Sequence, residues 1–261
     1  MKDFVFKKKF GQNFISDKNL LNAIADDAEV TKNDQVLEIG AGAGSLTSIL
    51  SEKAEKVISF EIDKDLTDHL LGLNLKNVEF VFDDFMKRDM SEIEAKFDKN
   101  YKVVANLPYY ITTPIIFRFF EEATKLDSLT IMVQKEVAER VCAKEGGKDY
   151  GILTVMANFY GLPKIARIIN RQMFYPQPNV DSALLVIKID KNKFQDIDKK
   201  RFSLFIKTCF SMRRKTLLNN LSSLYSKQFL TETLDEKTLK KRAEQFSLDE
   251  FVEIFKKCEK I

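Results

Sequence analysis

"VLEIGAGAGSLT", residues 36–47, is the stretch that decides how this chain folds. An apolar run ends in three glycines at alternate positions, Gly40, Gly42 and Gly44, and a helical pattern, "SLTSILSEKA", begins directly after them. Glycines let the backbone turn sharply and bring a ligand close to a helix N-terminus. A dinucleotide fingerprint would need a further glycine at position 45, where this chain has Ser45. The spacing is instead Glu38-x-Gly40-x-Gly42-x-Gly44. By itself such a turn needs no ligand.

Outward from it, short apolar runs alternate with helical patterns. "QVLEI", "KVISFEI" (56–62), "VEFVF" (78–82), "YKVVAN" (101–106) and "LTIMVQ" (129–134) read as buried strands, with helices such as "TTPIIFRFFEEATK" between them. That alternation predicts a doubly wound α/β sheet. "KIARIIN" (164–170) and "SALLVIKID" (182–190) are separated by a short, Pro-containing spacer, so they are expected to pair antiparallel. After Asp190 the apolar residues keep helical spacing and no strand-like run recurs. With a junction at 191–195, residues 1–191 form the α/β domain and 192–261 a small all-helical domain.

Composition sets limits. The chain has 261 residues, 44% hydrophobic and 31% charged, which suits a globular protein with one large domain and an appendage. No run reaches the roughly 18 to 20 apolar residues of a membrane-spanning helix, and "MKDFVFKKKF" lacks the apolar core of a secretory signal. Three scattered cysteines, Cys142, Cys209 and Cys258, and one histidine, His69, predict neither disulfides nor a metal site, and fit the cytoplasm. His69 reads as a surface or packing residue. The net charge is +3. Residues 192–261 hold 16 Lys+Arg against 10 Asp+Glu, or +6, which leaves −3 for the rest. A basic C-terminal quarter suits a polyanionic partner, although solvated lysine-rich helices would look the same.

Acidic residues recur at successive strand ends. Glu61, in "FEID", follows the glycine loop by about 20 residues, where a carboxylate accepts the hydroxyls of an adenosine ribose. Asp83 and Asp84, after the third strand, are placed to meet an adenine amino group. The fourth strand ends in Asn106-Leu107-Pro108-Tyr109, with no His, Cys, Ser or Lys beside it. Such a site suits an exocyclic amine as nucleophile. Hydrogen bonds from its two N–H groups to the Asn106 side-chain carbonyl and the Leu107 backbone carbonyl localise its lone pair. Pro108 stiffens the turn. Tyr109 offers a flat face for an extruded base, worth roughly 1–3 kcal/mol. Against an activated methyl donor, alignment supplies much of the rate and no strong base is required.

Taken together, these motifs resemble the ribosomal RNA adenine dimethyltransferase family, in its bacterial small-subunit form. The likeness runs nearly end to end through "KKKFGQNFISD", "VLEIGAGAGSLT", "FEID", "NLPYYITTP", "QKEVAERVCA", "YGILTVMANFY", "FYPQPNVDSALL", "CFSMRRKTLLNNL" and "RAEQFSLDEF". The resemblance implies a Rossmann-like class I S-adenosylmethionine methyltransferase sheet with the small helical domain at its C-terminus. It implies cofactor contacts from Asn13, Ile15 (commonly Leu in the family), Gly40, Gly42, Glu61, Asp84 rather than Asp83, and Asn106. It also implies a catalytic group of Asn106, Leu107, Pro108 and Tyr109, with Phe174 as a second aromatic wall. The implied reaction is dimethylation of N6 on two adjacent adenines in the 3′-terminal hairpin loop of 16S ribosomal RNA, within the small subunit. Unpaired loop bases are splayed out at low cost. Arg213, Arg214 and Lys215 are the expected phosphate contacts, with Lys7, Lys8, Lys9 and the basic residues 240–242 as further candidates. A monomer is expected.

Three rivals stand beside this reading. An Erm-type enzyme acting on 23S ribosomal RNA shares the catalytic motifs, but "MRRKTLLNNL" and "RAEQFSLDEF" resemble the small-subunit group. A ribosome-assembly factor with a non-catalytic role is opposed by the intact Asn106, Pro108 and Tyr109. An NAD-dependent oxidoreductase is opposed by the glycine spacing.

Overall fold

The computed structural model describes residues 13–259. The chain forms two compact units. One takes in the chain as far as Ala138 together with Lys164–Ile189; the other takes Glu139–Pro163 and the chain from Asp190 onward. The division therefore falls beside residue 191, but residues 139–163 go with the helical unit.

The elements run β1 (Phe14–Ile15), α1 (Lys18–Asp27), β2 (Gln35–Ile39), α2 (Ser45–Lys53), β3 (Lys56–Phe60), α3 (Thr67–Gly72) and β4 (Val78–Val81). They continue with α4 (Met90–Glu94), β5 (Tyr101–Asn106), α5 (Thr112–Glu122), β6 (Leu126–Gln134) and α6 (Lys135–Val141). Then come α7 (Ile152–Tyr160), β7 (Gly161–Ile169), β8 (Phe174–Tyr175) and β9 (Ser182–Ile189). The seven-stranded sheet has the order β4-β3-β2-β5-β6-β9-β7. Strands β4 to β6 pair in parallel, and β9 runs antiparallel to β6 with Ser182 opposite Gln134. β7 and β9 are sheet neighbours, as their short spacer implies.

All five residues of β2 are buried, because a parallel strand covered on both faces has no solvent side. β2 pairs with β3 on one side and β5 on the other, with Leu37 opposite both Ile58 and Val103. The strand order reverses at that point, so a crevice opens beyond the carboxyl ends of β2 and β5. α1, capped by Asp17 accepting from the Leu20 N–H at 2.9 Å, buries Leu21, Ile24 and Ala25. They join one core cluster with Ile49 and Leu50 of α2 and with Val36, Val57 and Val104 of the sheet. Each leucine, isoleucine or valine among them contributes about 1.5–3 kcal/mol by leaving water, which holds the glycine turn on a rigid base. β1 and β8 form a separate two-stranded ribbon, with Phe14 opposite Tyr175 and Ile15 opposite Phe174.

The second unit continues with α8 (Lys199–Cys209), α9 (Leu217–Leu221), α10 (Lys227–Thr233), α11 (Glu236–Lys240) and α12 (Leu248–Glu259). Its core is aromatic. Phe159 of α7 stacks on Phe202 at 4.2 Å between ring centres, and Phe255 meets Phe202 edge-on at 5.3 Å. "SLDE" starts α12 with a reciprocal cap: the Ser247 N–H donates to the Glu250 carboxylate at 2.8 Å, and the Glu250 N–H to the Ser247 hydroxyl at 3.2 Å. No helix among the described residues is long and apolar enough to cross a membrane.

Candidate active site

A cavity lies at the switch point of the sheet, lined by Asn13, Phe14 and Ile15, by the glycine turn, and by Glu61, Asn106 and Pro108. Three glycines of the turn take positive φ, and at two of them a Cβ would also be crowded. Gly42 takes φ +55°, and a Cβ there would stand 2.9 Å from the Phe14 ring. Gly44 takes φ +77°, and a Cβ there would run into the Leu73 side chain. At such φ values a side chain is strained whatever the space.

The turn is held by the neighbouring strand end. Gly40 and Ala41 N–H groups both donate to the Phe60 carbonyl, at 2.8 and 3.1 Å. One Glu61 carboxylate oxygen accepts from the Gly42 N–H at 2.7 Å, the other from the Asp63 N–H at 2.8 Å. Burial raises the Glu61 carboxyl above its ordinary range, against the pull of these two donors. Behind the turn, Glu38 is fully buried and one of its oxygens accepts from the hydroxyls of Thr47 and Ser59, each at 2.6 Å. Its other oxygen has no partner among the described residues. Burial pushes this carboxyl up to about 7. His69 sits against the same turn, its Nε2 3.1 Å from the Ala43 carbonyl.

At the end of β5, the Asn106 side-chain nitrogen donates to the Asn13 carbonyl at 2.7 Å. With the nitrogen so engaged, the side-chain oxygen is the acceptor this amide offers to a ligand. Leu107 is buried and anchors the turn. The Pro108 carbonyl accepts from the Ile111 N–H at 3.1 Å, closing one turn of 3-10 helix over Tyr109–Ile111. The Tyr109 phenol lies 2.7 Å from the Ser182 hydroxyl at the start of β9. Burial raises the phenol, and the Ser182 contact opposes it.

Seven of the expected residues thus surround one cavity: Asn13, Ile15, Gly40, Gly42, Glu61, Asn106 and Pro108. Others stand apart from its wall. Asp84 caps the short turn Phe85–Lys87 through the Met86 N–H at 2.9 Å, while Asp83 pairs with Arg88 at 2.6 Å. Asp84 also lies 3.8 Å from the Lys87 ammonium. Phe174 is 4% exposed and lies in the core cluster with Ile15, Leu21 and Met132. Strand alternation turns it inward beside Ile15, and turns Tyr175 outward. Arg213 donates to the Lys148 carbonyl at 2.9 Å within the second unit, where Arg214 and Lys215 are exposed. Lys7, Lys8 and Lys9 lie outside the described residues. Phe14, Ile62 and Met132 line the cavity and were not expected from sequence. Their signal was positional: each sits in a quoted motif or at a strand end.

A sequence profile described as "Ribosomal RNA adenine dimethylase" matches residues 3–260. "Ribosomal RNA small subunit methyltransferase A" of Caldanaerobacter subterraneus subsp. tengcongensis is 45% identical over 257 residues, covering 95% of each chain. The protein of that name from Fusobacterium nucleatum is 42% identical over 262 residues, covering 97% of this chain and 98% of its own. Among solved structures, a dimethyladenosine transferase from Plasmodium falciparum superposes with a TM-score of 0.79 at 26% identity, over 92% of this chain and 95% of the other. The 23S rRNA methyltransferase ErmE gives 0.70 at 25% identity, over 95% of this chain and all of the other.

Proposed function

Because the chain belongs to the ribosomal RNA adenine dimethylase family, we propose that it dimethylates N6 of two adjacent adenines in the 3′-terminal hairpin loop of 16S ribosomal RNA, in the small subunit. It is an S-adenosylmethionine-dependent methyltransferase of the class I fold. The reading also makes it a monomer in the cytoplasm, where that subunit is assembled, and a participant in ribosome biogenesis.

The residues fit the cofactor. The glycine turn is a cradle that a Cβ at Gly42 would fill, and the buried Glu61 carboxylate stands beside it for a ribose. Directly behind that turn, one Glu38 oxygen has no partner among the described residues. When bound, S-adenosylmethionine supplies a methyl group already activated on a sulfonium.

The observation that carries the proposal is the Asn106 amide, which the Asn13 carbonyl orients so that its oxygen is offered to a donor at the cavity. That oxygen and the Leu107 carbonyl accept the two N–H bonds of an adenine amine, favouring a more tetrahedral nitrogen with its lone pair directed at the methyl. Tyr109 carries the base on its ring face. Asp84 receives the cofactor's adenine, and Arg213, Arg214 and Lys215 bind phosphates.

The test is methyl transfer from labelled S-adenosylmethionine to undermethylated small subunits, to large subunits and to naked RNA, with digestion and mass analysis. Dimethyladenosine on the small subunit alone supports the proposal. The likeness to ErmE makes 23S RNA the competing substrate, and label there would overturn it. Subunit binding with no transfer anywhere would favour an assembly factor.

A further inference from the structure

Tyr109 is held at both ends. Its backbone opens the 3-10 turn that follows Pro108. Its phenol meets the Ser182 hydroxyl at 2.7 Å, across 73 positions of sequence. Ser182 is fully buried and stands opposite Gln134, where β6 ends. The residue before it, Asp181, is fixed twice: its carbonyl accepts from the Lys135 N–H and its carboxylate from the Arg171 N–H, each at 3.0 Å. The hydroxyl gripping the phenol therefore belongs to a pinned strand, not to a loose loop.

A tyrosine ring has two side-chain torsions, and χ2 is broad. The phenol oxygen lies on the χ2 axis, so the Ser182 contact fixes where the far end of the ring stands. Because a phenol directs its hydrogen bonds near the ring plane, the contact also turns that plane toward Ser182. Both partners are neutral, since burial keeps the phenol from ionising, so either can donate. We infer that Ser182 is a positioning residue for methyl transfer: by holding the Tyr109 phenol it sets the plane on which the target adenine stacks, and with it the line from N6 to the methyl donor. The inference rests on Tyr109 as the platform for the base.

The test uses single-turnover methylation of undermethylated small subunits, with cofactor affinity measured separately. Ser182→Ala and Tyr109→Phe each break the contact, and Tyr109→Phe keeps the ring and its packing. Each should lower the rate constant about five- to tenfold, the effect of one typical hydrogen bond. The double variant should fall no further, and affinity for S-adenosylmethionine should stay within about twofold. The share of monomethyladenosine among products should rise, because the second transfer to a crowded nitrogen demands the stricter alignment. Rate constant and product ratio do not depend on how much protein is folded, so a merely structural role would leave both unmoved. Parent-like values for Ser182→Ala and Tyr109→Phe, beside an impaired Tyr109→Ala, would overturn the inference alone. A parent-like Tyr109→Ala would remove the platform itself.

Discussion

Replacing Asn106 by Asp separates two jobs that one amide does. The side-chain nitrogen donates to the Asn13 carbonyl at 2.7 Å, which leaves the oxygen as the acceptor that we propose for the target amine. Aspartate keeps an acceptor but sets a carboxylate oxygen against that carbonyl. Losing a partly buried hydrogen bond and leaving its acceptor unpaired costs about 1–3 kcal/mol; about 2 kcal/mol corresponds to about 30-fold in an equilibrium constant. Asn13, Phe14 and Ile15 line the cavity, so the loss should appear in cofactor affinity. A new negative charge would also attract a sulfonium, so the cleaner ligand is S-adenosylhomocysteine, whose sulfur is neutral. Calorimetry should show it binding Asn106→Asp about 30-fold more weakly than the parent. Asn106→Ala lacks the acceptor as well, and its turnover should fall about 10²–10³-fold at saturating cofactor while RNA binding stays nearly intact. If Asn106→Asp binds S-adenosylhomocysteine as the parent does, the clasp on Asn13 contributes nothing. If Asn106→Ala loses RNA binding and turnover equally, the amide is not the acceptor.

Gly42→Ala places a methyl 2.9 Å from the Phe14 ring at φ +55°, so cofactor affinity should fall at least tenfold by calorimetry, as strain and displacement of Phe14 combine. Glu38 sits at about 7 in the fold against 4.5 for an ordinary glutamate, so its contribution is fully present below about 4.5 and lost as pH rises through about 7. The gap is worth on the order of 3 kcal/mol; denaturation midpoints should show Glu38→Gln gaining on the parent at pH 8 but not at pH 4.5, with the raised Glu61 leaving a shallower slope of the same sign. Phe202→Ala empties a fully buried ring site between Phe159 and Phe255 and should destabilise the helical unit by about 3–5 kcal/mol in urea unfolding.

What the sequence made legible was local. The glycine turn announces itself because a strand, three alternate glycines and a helix are contiguous, and Glu61 because it follows at a fixed interval after one crossover. The Asn106-Leu107-Pro108-Tyr109 turn could be assigned a chemistry because every side chain in it is limited in what it can do. Helix α7 was harder to place. "ILTVMANFY" is apolar almost all round, so no polar stripe shows which unit it serves, and contacts such as those of Phe159 with Phe194 and Phe202 decide. The two-residue strands β1 and β8 are too short for any periodicity, and their pairing joins segments at opposite ends of the α/β unit. The direction of Phe174 follows from that pairing and could not precede it.

The contacts that sequence could not reveal share one property: they hold the side chains we propose to act on the base rather than acting on it themselves. Asn13 turns the Asn106 amide from 93 positions away, and Ser182 pins Tyr109 from 73. The side chains we propose for catalysis, an amide and a phenol, carry no charge, so a shifted ionisation cannot be what tunes them. The strongly raised acid near the site, Glu38, lies behind the cofactor turn, tied to Thr47 and Ser59. A carboxyl raised by burial thus lies behind the turn that we propose receives the cofactor, and a fixed hydroxyl contact lies where we propose the base is received. That separation suits a reaction whose leaving group is activated before it arrives: the chain has little acid–base chemistry to perform, and its contribution to rate is the alignment of nitrogen, methyl and sulfur.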